Sequence, residues 1–424
     1  MDNNNSFLKK LTKPLLMIVG PAAVMTAGVM GSGSTTSLIL AGTYFGYNLL
    51  WVAVFTIPIL VIVQDSASRI GVMSGSKGMF QIMDEQIHPM LKWFFLIPII
   101  ILAFIGNMGQ TKVMVFSILT IFGVSAPASG TIIFTTIVLV IGVWLTVIFG
   151  GYKRIEKIMT GVLFFMAIAF LLVSIKGLEH PGNILKGLIP NFPSNAGNRS
   201  SLQFISAITG AAIAITAVLA FPYFTAEGGY KKQDTSKNFK KAILTFGIIR
   251  GIWCIAALIA GASVLYVLSN HLQIENINQA GQVLGPILGK WGTIIFSAGL
   301  FCSAYATFIV VAQLLTYFSL DAFKKDWKFN IKNKRFLVLF SIFLFLPGLT
   351  SFLWNLPALL AIVAAMMLSI LATPVTIIIV IYLMNKKSFI GDNKAGIARN
   401  TILAIGFVLT FLLAYYQVLQ FLRK

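Results

Sequence analysis

The stretch VMGSGSTTS, residues 29 to 37, places two glycines and five hydroxyl side chains inside an apolar run from Leu15 to Ala41. Each glycine weakens a helix by roughly 1 kcal/mol relative to alanine, so a membrane helix is expected to break here. The half-helix that begins at such a gap directs free backbone N–H groups and the positive end of its dipole into the gap. The stretch therefore predicts a binding site for a small ion, formed by Gly31, Ser32, Gly33, Ser34 and Thr35.

The composition identifies the class of protein. The chain has 424 residues, of which 58% are hydrophobic and only 10% are charged, and its mean hydropathy is +0.89. A helix needs about 20 apolar residues to cross a hydrocarbon core about 30 Å thick. Eleven segments are long enough, so we predict an all-α polytopic membrane protein with 11 transmembrane helices, at approximately residues 15–43, 47–70, 93–123, 131–150, 154–176, 202–227, 241–268, 286–320, 335–353, 357–385 and 397–421.

Positive charges lie mainly on one side of the predicted membrane. With the N-terminus cytoplasmic, 24 of the 32 Lys and Arg residues fall in cytoplasmic segments and 6 fall outside, while Lys112 and Arg250 lie within spans. Membrane proteins show this bias as a rule, so the formal net charge of +20 reflects topology and not nucleic-acid binding. We expect a monomer in the lipid bilayer of the cell membrane, with its N-terminus inside and its C-terminus outside.

A second interruption is predicted in the sixth span, in ITAVLAFPYFTAEGG, because Pro222 removes a backbone donor and crowds the preceding turn. Transporters built from two inverted five-helix repeats place a broken helix at the start of each repeat and bind substrate between them. Breaks in spans 1 and 6 fit this arrangement, with Phe221, Pro222, Tyr223 and Phe224 walling the cavity. The predicted divisions are a cytoplasmic tail (1–14), a first repeat (15–176), an extracellular loop (177–201), a second repeat (202–385), and span 11 with the C-terminus (386–424).

Several segments resemble the Nramp family of proton-coupled divalent-metal transporters, across nearly the whole chain. AGTYFGYNLLW resembles that family's AGxxFGYxLLW after the first break, and YKRIEKIM resembles the start of its fifth span. NILKGLIPNFP is similar to its loop before span 6, and LATPVTIIIVIYLMNKKSFIGD is similar to its span 10 and the segment that follows. The resemblance implies a LeuT-like fold and secondary transport.

The chain departs from this family at the positions that would bind metal and carry protons. Gly31–Ser34 stand where the family has DPGN, and Phe221–Phe224 stand where it has MPHN, so a carboxylate, an amide and a thioether are absent. Asn107 and Gln110 align with its acidic proton-pathway pair, and Met366 aligns with a glutamine of span 10. The departures imply that metal binding of the family type is lost and that the carboxylates which carry protons in the family are absent.

Ionisable ligands fall away from the predicted midplane. Of the 12 acidic residues only Asp65 and Glu227 lie within spans, both near cytoplasmic ends, and the three histidines lie in loops. A divalent ion without compensating charge would be very costly in a membrane, so we expect no metal site. Glycines, hydroxyls, Asn107, Gln110 and Lys112 instead favour a small anion at the break.

Three features have alternative interpretations. Lys112 lies about 160° around the helix from Gln110, and it either faces the pathway or extends its long stem to the outer surface. Arg250 is expected to be structural. The hydroxyl run after Gly31 either binds the ion or packs helices together.

The energy source is a separate question. We expect no cofactor, and the coupling ion is Na⁺ or H⁺ unless transport is uncoupled. The resemblance to LeuT-like transporters implies that sodium could bind carbonyls of the first break together with hydroxyls of span 8, and SAGLFCSAYATF offers Ser303 and Thr307 at i and i+4. Hydroxyls in membrane helices also serve packing.

The first functional hypothesis is a secondary transporter of a small anion, with bicarbonate as the leading substrate. One alternative is a carrier of Mn²⁺ or hydrated Mg²⁺ that binds through carbonyls and hydroxyls. Another is a small amino-acid transporter, although the chain offers no carboxylate partner for a substrate ammonium group. An enzyme is not expected, because no nucleophile, base and metal set occurs at membrane depth.

Overall fold

We describe a computed structural model that covers residues 21–124, 126–175, 179, 181–197, 199–266, 277–330, 332–353 and 358–422. Within these residues the fold is helical, and the backbone pairing between Ala196 and Arg199 is an isolated bridge. The predicted tail (1–14), the start of span 1 (15–20) and residues 423–424 lie outside the described part of the chain. The predicted division into repeats and loops stays a prediction.

Seventeen α-helices are described, and short 3₁₀ and π-helical turns join several of them. They are α1 (Pro21–Val29), α2 (Ser32–Phe45), α3 (Leu50–Met73), α4 (Met79–Gln86), α5 (Met90–Ile121), α6 (Ser129–Ser174), α7 (Pro181–Gly187), α8 (Ser201–Ala212), α9 (Ile215–Glu227), α10 (Thr235–Ala242), α11 (Arg250–Ala260), α12 (Ile277–Ala322), α13 (Lys334–Thr350), α14 (Ala358–Ser369), α15 (Thr373–Asn385), α16 (Lys387–Ile390) and α17 (Ile397–Leu422).

Nine described helical segments are long and apolar enough to cross a membrane, or ten when the bent pair of span 10 is counted as one. Eleven spans were expected. The numbers differ because Ser32–Met73 forms one helical segment of 42 residues, which contains the second half of predicted span 1 and all of span 2. Gly46, with φ of 59°, turns the chain between these two parts. The polytopic all-α architecture is confirmed.

The predicted break in span 1 is present. Met30 and Gly31 lie between α1 and α2. Met30 N donates to Thr26 O (2.8 Å), and Thr35 N donates to Gly31 O (3.0 Å). A Cβ atom at Gly31 would overlap the side chain of Thr307, so the close approach of span 8 requires glycine here.

The break in span 6 lies earlier than the proline predicts. Ile213 and Ala214 separate α8 from α9, whereas Pro222 lies inside α9. A proline is tolerated within a membrane helix where other groups compensate for the lost hydrogen bond. The expectation that Phe221–Phe224 form this break is therefore wrong, and small residues mark it instead.

Span 10 carries a third break, which the sequence analysis does not predict. Ile362–Ser369 and Thr373–Asn385 meet at 44°. Pro374 stands at the start of α15, where its missing N–H group is not needed.

The breaks of spans 6 and 10 are hydrogen-bonded to each other. Ser369 Oγ donates to Gly210 O (3.2 Å), and Thr373 Oγ1 donates to Ile213 O (3.5 Å). These hydroxyls satisfy carbonyls that the interruption of span 6 exposes. The breaks of spans 6 and 10 are therefore in direct contact, and both lie next to the break of span 1.

Candidate ion-binding site at the helix breaks

A cavity of about 80 Å³ lies where the breaks of spans 1 and 6 face spans 3, 8 and 10. A water molecule needs about 10–15 Å³ of such volume, so the cavity has room for a small ion together with a few water molecules. Its polar side chains are Ser34, Gln110, Thr216 and Thr307, and Met25 and Met366 add two thioethers. The rest of the lining is Gly28, Val29, Gly31, Gly33, Ala211, Ala214, Ala217, Val310, Val311 and Leu314.

Hydroxyl groups bind the carbonyls that end α1. Ser34 Oγ donates to Val29 O (2.6 Å) from within the same span. Ser303 Oγ reaches across from span 8 to Met30 O (2.8 Å). Each of these hydroxyl oxygens keeps lone pairs that could bind a cation.

A second pair of contacts completes the link to span 8. Thr307 Oγ1 donates to Gly28 O (3.2 Å), and Thr35 Oγ1 lies 2.7 Å from Ser303 Oγ. The structure therefore brings Ser303 and Thr307 against the first break. A sodium role for them stays a prediction.

Span 3 contributes one side chain to the cavity. Gln110 lines it and accepts a hydrogen bond from Ser32 through Oε1. Asn107 is buried one turn away, and neither of its amide atoms has a hydrogen-bond partner among the described residues. Asn107 does not line the cavity.

The cavity is electrically neutral within the described part of the chain. Its lining contains no Asp, Glu, His, Lys or Arg. No group of three or more His, Cys, Asp and Glu residues that could hold a metal ion occurs among the described residues. Its chemistry therefore rests on carbonyl, hydroxyl, amide and thioether groups, together with the positive ends of α2 and α9.

Besides Asn107, four predicted site residues lie away from the cavity. Lys112 is half-buried and is absent from the cavity lining, as are Phe221, Pro222 and Tyr223. The aromatic residues follow the break of span 6 by seven residues or more, so they cannot wall a cavity that forms at the break itself. Their proposed contact with substrate stays a prediction without support from this geometry.

Tyr223 instead joins three elements at one end of the bundle. Its hydroxyl donates to Asp321 Oδ2 (2.5 Å), at the end of α12. The same oxygen accepts from Phe80 N (2.9 Å) and Gln81 N (3.2 Å), at the start of α4. One buried carboxylate therefore ties span 6 to span 8 and to the connection between spans 2 and 3.

Sequence reasoning missed Met25, Ala214 and Thr216 as residues of the cavity. Ala214 and Thr216 follow a run of small residues, Gly210 to Ala212, and this run was the available signal for the break. Met366 was identified only through its alignment with a family glutamine. A Cβ atom on Gly33 would lie 2.8 Å from Met366 Sδ, so the thioether sits directly against the first break.

Comparisons with known proteins give a consistent result. The sequence model described as natural resistance-associated macrophage protein-like (Nramp) matches residues 22–420. The divalent metal cation transporter MntH of Klebsiella pneumoniae subsp. pneumoniae is 24% identical over 312 residues, which are 72% of this chain and 72% of that protein.

Solved structures share the fold. A mutant of the Eremococcus coleocola manganese transporter superposes with a TM-score of 0.76 at 19% identity, and the match covers 96% of this chain and 86% of that one. MhsT in complex with L-phenylalanine gives a TM-score of 0.66 at 16% identity, covering 93% and 98% of the two chains. These likenesses confirm the predicted LeuT-like fold.

Proposed function

This chain belongs to the natural resistance-associated macrophage protein-like (Nramp) family, and we propose that it carries a divalent metal cation through the cavity at the helix breaks by alternating access. Members of the family are transporters and not enzymes, and the chain is a multi-pass membrane protein. The observation that carries the proposal is the meeting of first-break carbonyls, Gln110, Thr307 and Met366 at one cavity. The cation replaces the anion that the sequence favoured, since the named relatives transport divalent metal and manganese.

The donor set favours a first-row transition-metal ion such as Mn²⁺, which is softer than Mg²⁺, over Mg²⁺ itself. Thioether sulfur is a soft ligand, whereas Mg²⁺ prefers oxygen ligands and an octahedral shell of waters. Met366 and Met25 both line the cavity. We therefore place Mn²⁺ ahead of Mg²⁺ as substrate.

A small anion such as bicarbonate is the second candidate. This candidate is supported by the described lining of the cavity, which contains no carboxylate. A cation at this place would therefore have no compensating negative charge. The half-helices α2 and α9 also begin at the cavity, and helix N-termini favour anions. The two candidates therefore predict opposite responses to an added negative charge.

Gln110 is the position for that test, because Gln110→Glu adds a carboxylate with almost no change in shape. We would measure uptake of ⁵⁴Mn²⁺ and of ¹⁴C-bicarbonate by the purified protein in liposomes, with sodium and pH gradients imposed in turn. If Mn²⁺ is the substrate, we expect its half-saturating concentration to fall about 10-fold in Gln110→Glu. The gradient that drives uptake identifies the coupling ion.

Gln110→Met is the matched control, since it keeps the size of the side chain and adds no charge. We expect its Mn²⁺ uptake to stay close to that of the unaltered protein or to weaken. Saturable bicarbonate uptake that is lost in Gln110→Glu, with no entry of Mn²⁺ in any variant, would overturn the cation proposal in favour of the anion.

A further inference from the structure

Span 7 contains a second group of buried polar atoms. Arg250 is 2% exposed, and Trp253 is fully buried. Among the described residues, Nε and Nη1 of Arg250 and Nε1 of Trp253 have no hydrogen-bond partner. Guanidinium and indole groups can only donate hydrogen bonds. Three buried donor nitrogens therefore lack an acceptor within the part of the chain that the structure describes.

The two side chains lie on the same face of span 7, because residues three apart on a helix are neighbours. Trp253 packs edge-on against Phe170 of α6, with 6.3 Å between ring centroids. One turn before Arg250, Phe246 packs edge-on against Phe221 of α9, at 5.8 Å. The face thus lies against spans 5 and 6, and these aromatic neighbours offer no oxygen acceptor.

Arg399 shows how this chain pairs another inward-facing arginine. Its Nη2 lies 2.6 Å from Asp65 Oδ2, and its Nη1 donates to Ser66 Oγ (2.9 Å). Arg250 makes no ion pair among the described residues. A guanidinium group stays protonated even when buried, so its charge needs a partner of opposite sign.

We propose that Arg250 and Trp253 form a buried binding site for a small monovalent anion of the size of chloride. Such an ion would accept hydrogen bonds from all three nitrogens and would neutralise the guanidinium charge. A water molecule would accept hydrogen bonds but would leave the charge without a counterion. The site is distinct from the cavity at the helix breaks, and it does not depend on which ion the protein transports.

Thermal unfolding of the purified full-length protein tests the site. We would titrate sodium chloride or sodium bromide against sodium gluconate at constant ionic strength. A ligand that binds only the folded state raises the unfolding temperature in a saturable manner. We expect this rise for the unaltered protein in both halides, and we expect Arg250→Gln to show the same unfolding temperature in chloride and gluconate.

Trp253→Phe provides a second variant, because it keeps the charge and removes one donor. We expect the chloride midpoint, which is the chloride concentration that gives half of the maximal rise in unfolding temperature, to increase several-fold in this variant. Trp144→Phe is the matched control, since Trp144 Nε1 already donates to Ser341 Oγ (2.9 Å), and its midpoint should not change. In crystals soaked in bromide, an anomalous peak is expected beside Arg250.

Equal unfolding temperatures of the unaltered protein in halide and gluconate would overturn this proposal. A chloride midpoint in Trp253→Phe equal to that of the unaltered protein would also overturn it. If Arg250→Gln does not fold, Trp253→Phe alone still tests the proposal. These measurements involve no transport. The failure of the Mn²⁺ uptake experiment would therefore leave them unaffected, and the reverse also holds.

Discussion

At the scale of residues, the first break is stabilised by hydroxyl groups that reach it from span 8. Ser303 and Thr307 donate to Met30 O and Gly28 O, and Thr307 also donates to Ser303 O of its own helix (3.1 Å). Each of the two hydroxyls therefore bridges span 8 to the first break. A cation at this place would bind the carbonyl and hydroxyl oxygens together, as hard ions require.

Removal of these hydroxyls tests whether the bridge also binds the coupling ion. In the double variant Ser303→Ala, Thr307→Val, the carbonyls of Met30 and Gly28 lose the hydroxyls of span 8 and keep only their donors within span 1, Thr35 Oγ1 (3.1 Å) and Gly31 N (3.2 Å). If sodium drives transport from this place, we expect the sodium concentration for half-maximal Mn²⁺ uptake to rise by about 10-fold or more. The measurement is uptake into liposomes over a series of sodium concentrations.

Thr316→Val is the control on the same helix, because Thr316 Oγ1 donates to Ala312 O (2.8 Å) and not to the break. We expect this variant to keep the normal sodium dependence. An unchanged sodium dependence in the double variant would show that the two hydroxyls serve packing alone.

At the scale of elements, Asp321 connects parts of the chain that an opening movement must separate. Asp321 accepts from Tyr223 at the end of span 6 and from two backbone N–H groups of α4. Tyr223 is fully buried and stacks on Tyr317 of span 8, with 5.8 Å between ring centroids. From the cavity, spans 6 and 8 both continue to this end, and we expect the contact to close the route between them.

Loss of this contact should favour opening at that end. We expect Tyr223→Phe to lower stability by about 1 kcal/mol and Asp321→Asn to lower it by about 2–4 kcal/mol, since the latter weakens three hydrogen bonds to a buried charge. A Thr216→Cys probe, in a background without Cys254 and Cys302, reports access to the cavity. Its reaction with a water-soluble maleimide should be faster in Tyr223→Phe than in the probe alone.

Tyr317→Phe offers a comparison, because it keeps the stacked rings and leaves the Asp321 contact intact. Equal labelling rates for Tyr223→Phe and for the probe alone would contradict the assignment of this contact as a closure.

The helix breaks show what the sequence could and could not reveal. The glycines and hydroxyls at residues 31 to 37 predicted the first break correctly, because glycine weakens a helix wherever it lies. Pro222 misled the prediction for span 6, since a membrane helix tolerates proline where other groups compensate. The true break depends on Ser369 and Thr373 of span 10, which donate to its carbonyls, and a contact across more than 150 residues leaves no local pattern.

At the scale of the whole molecule, contacts between loops sort the connections into two faces. Lys324 in the segment after span 8 pairs with Asp84 (3.9 Å), and Lys386 after span 10 donates to Gln86 O (2.7 Å), so both segments meet the connection between spans 2 and 3. At another place, Trp51 Nε1 donates to Asn191 O (3.0 Å) and joins the start of span 2 to the loop after span 5. This grouping agrees with an alternating topology.

The distribution of charge supplies the direction, because the predicted topology assigns 24 of the 32 basic residues to the side on which Asp84 and Lys324 lie. We therefore expect that face to be cytoplasmic. Lys328 and Lys186 are exposed on opposite faces, so Lys328→Cys and Lys186→Cys, each in a background without native cysteines, report the orientation. A membrane-impermeant maleimide should label Lys186→Cys in intact cells and label Lys328→Cys only after permeabilisation. The reverse pattern would place the basic face outside, and it would require the Asp321 contact to close the outer end of the pathway.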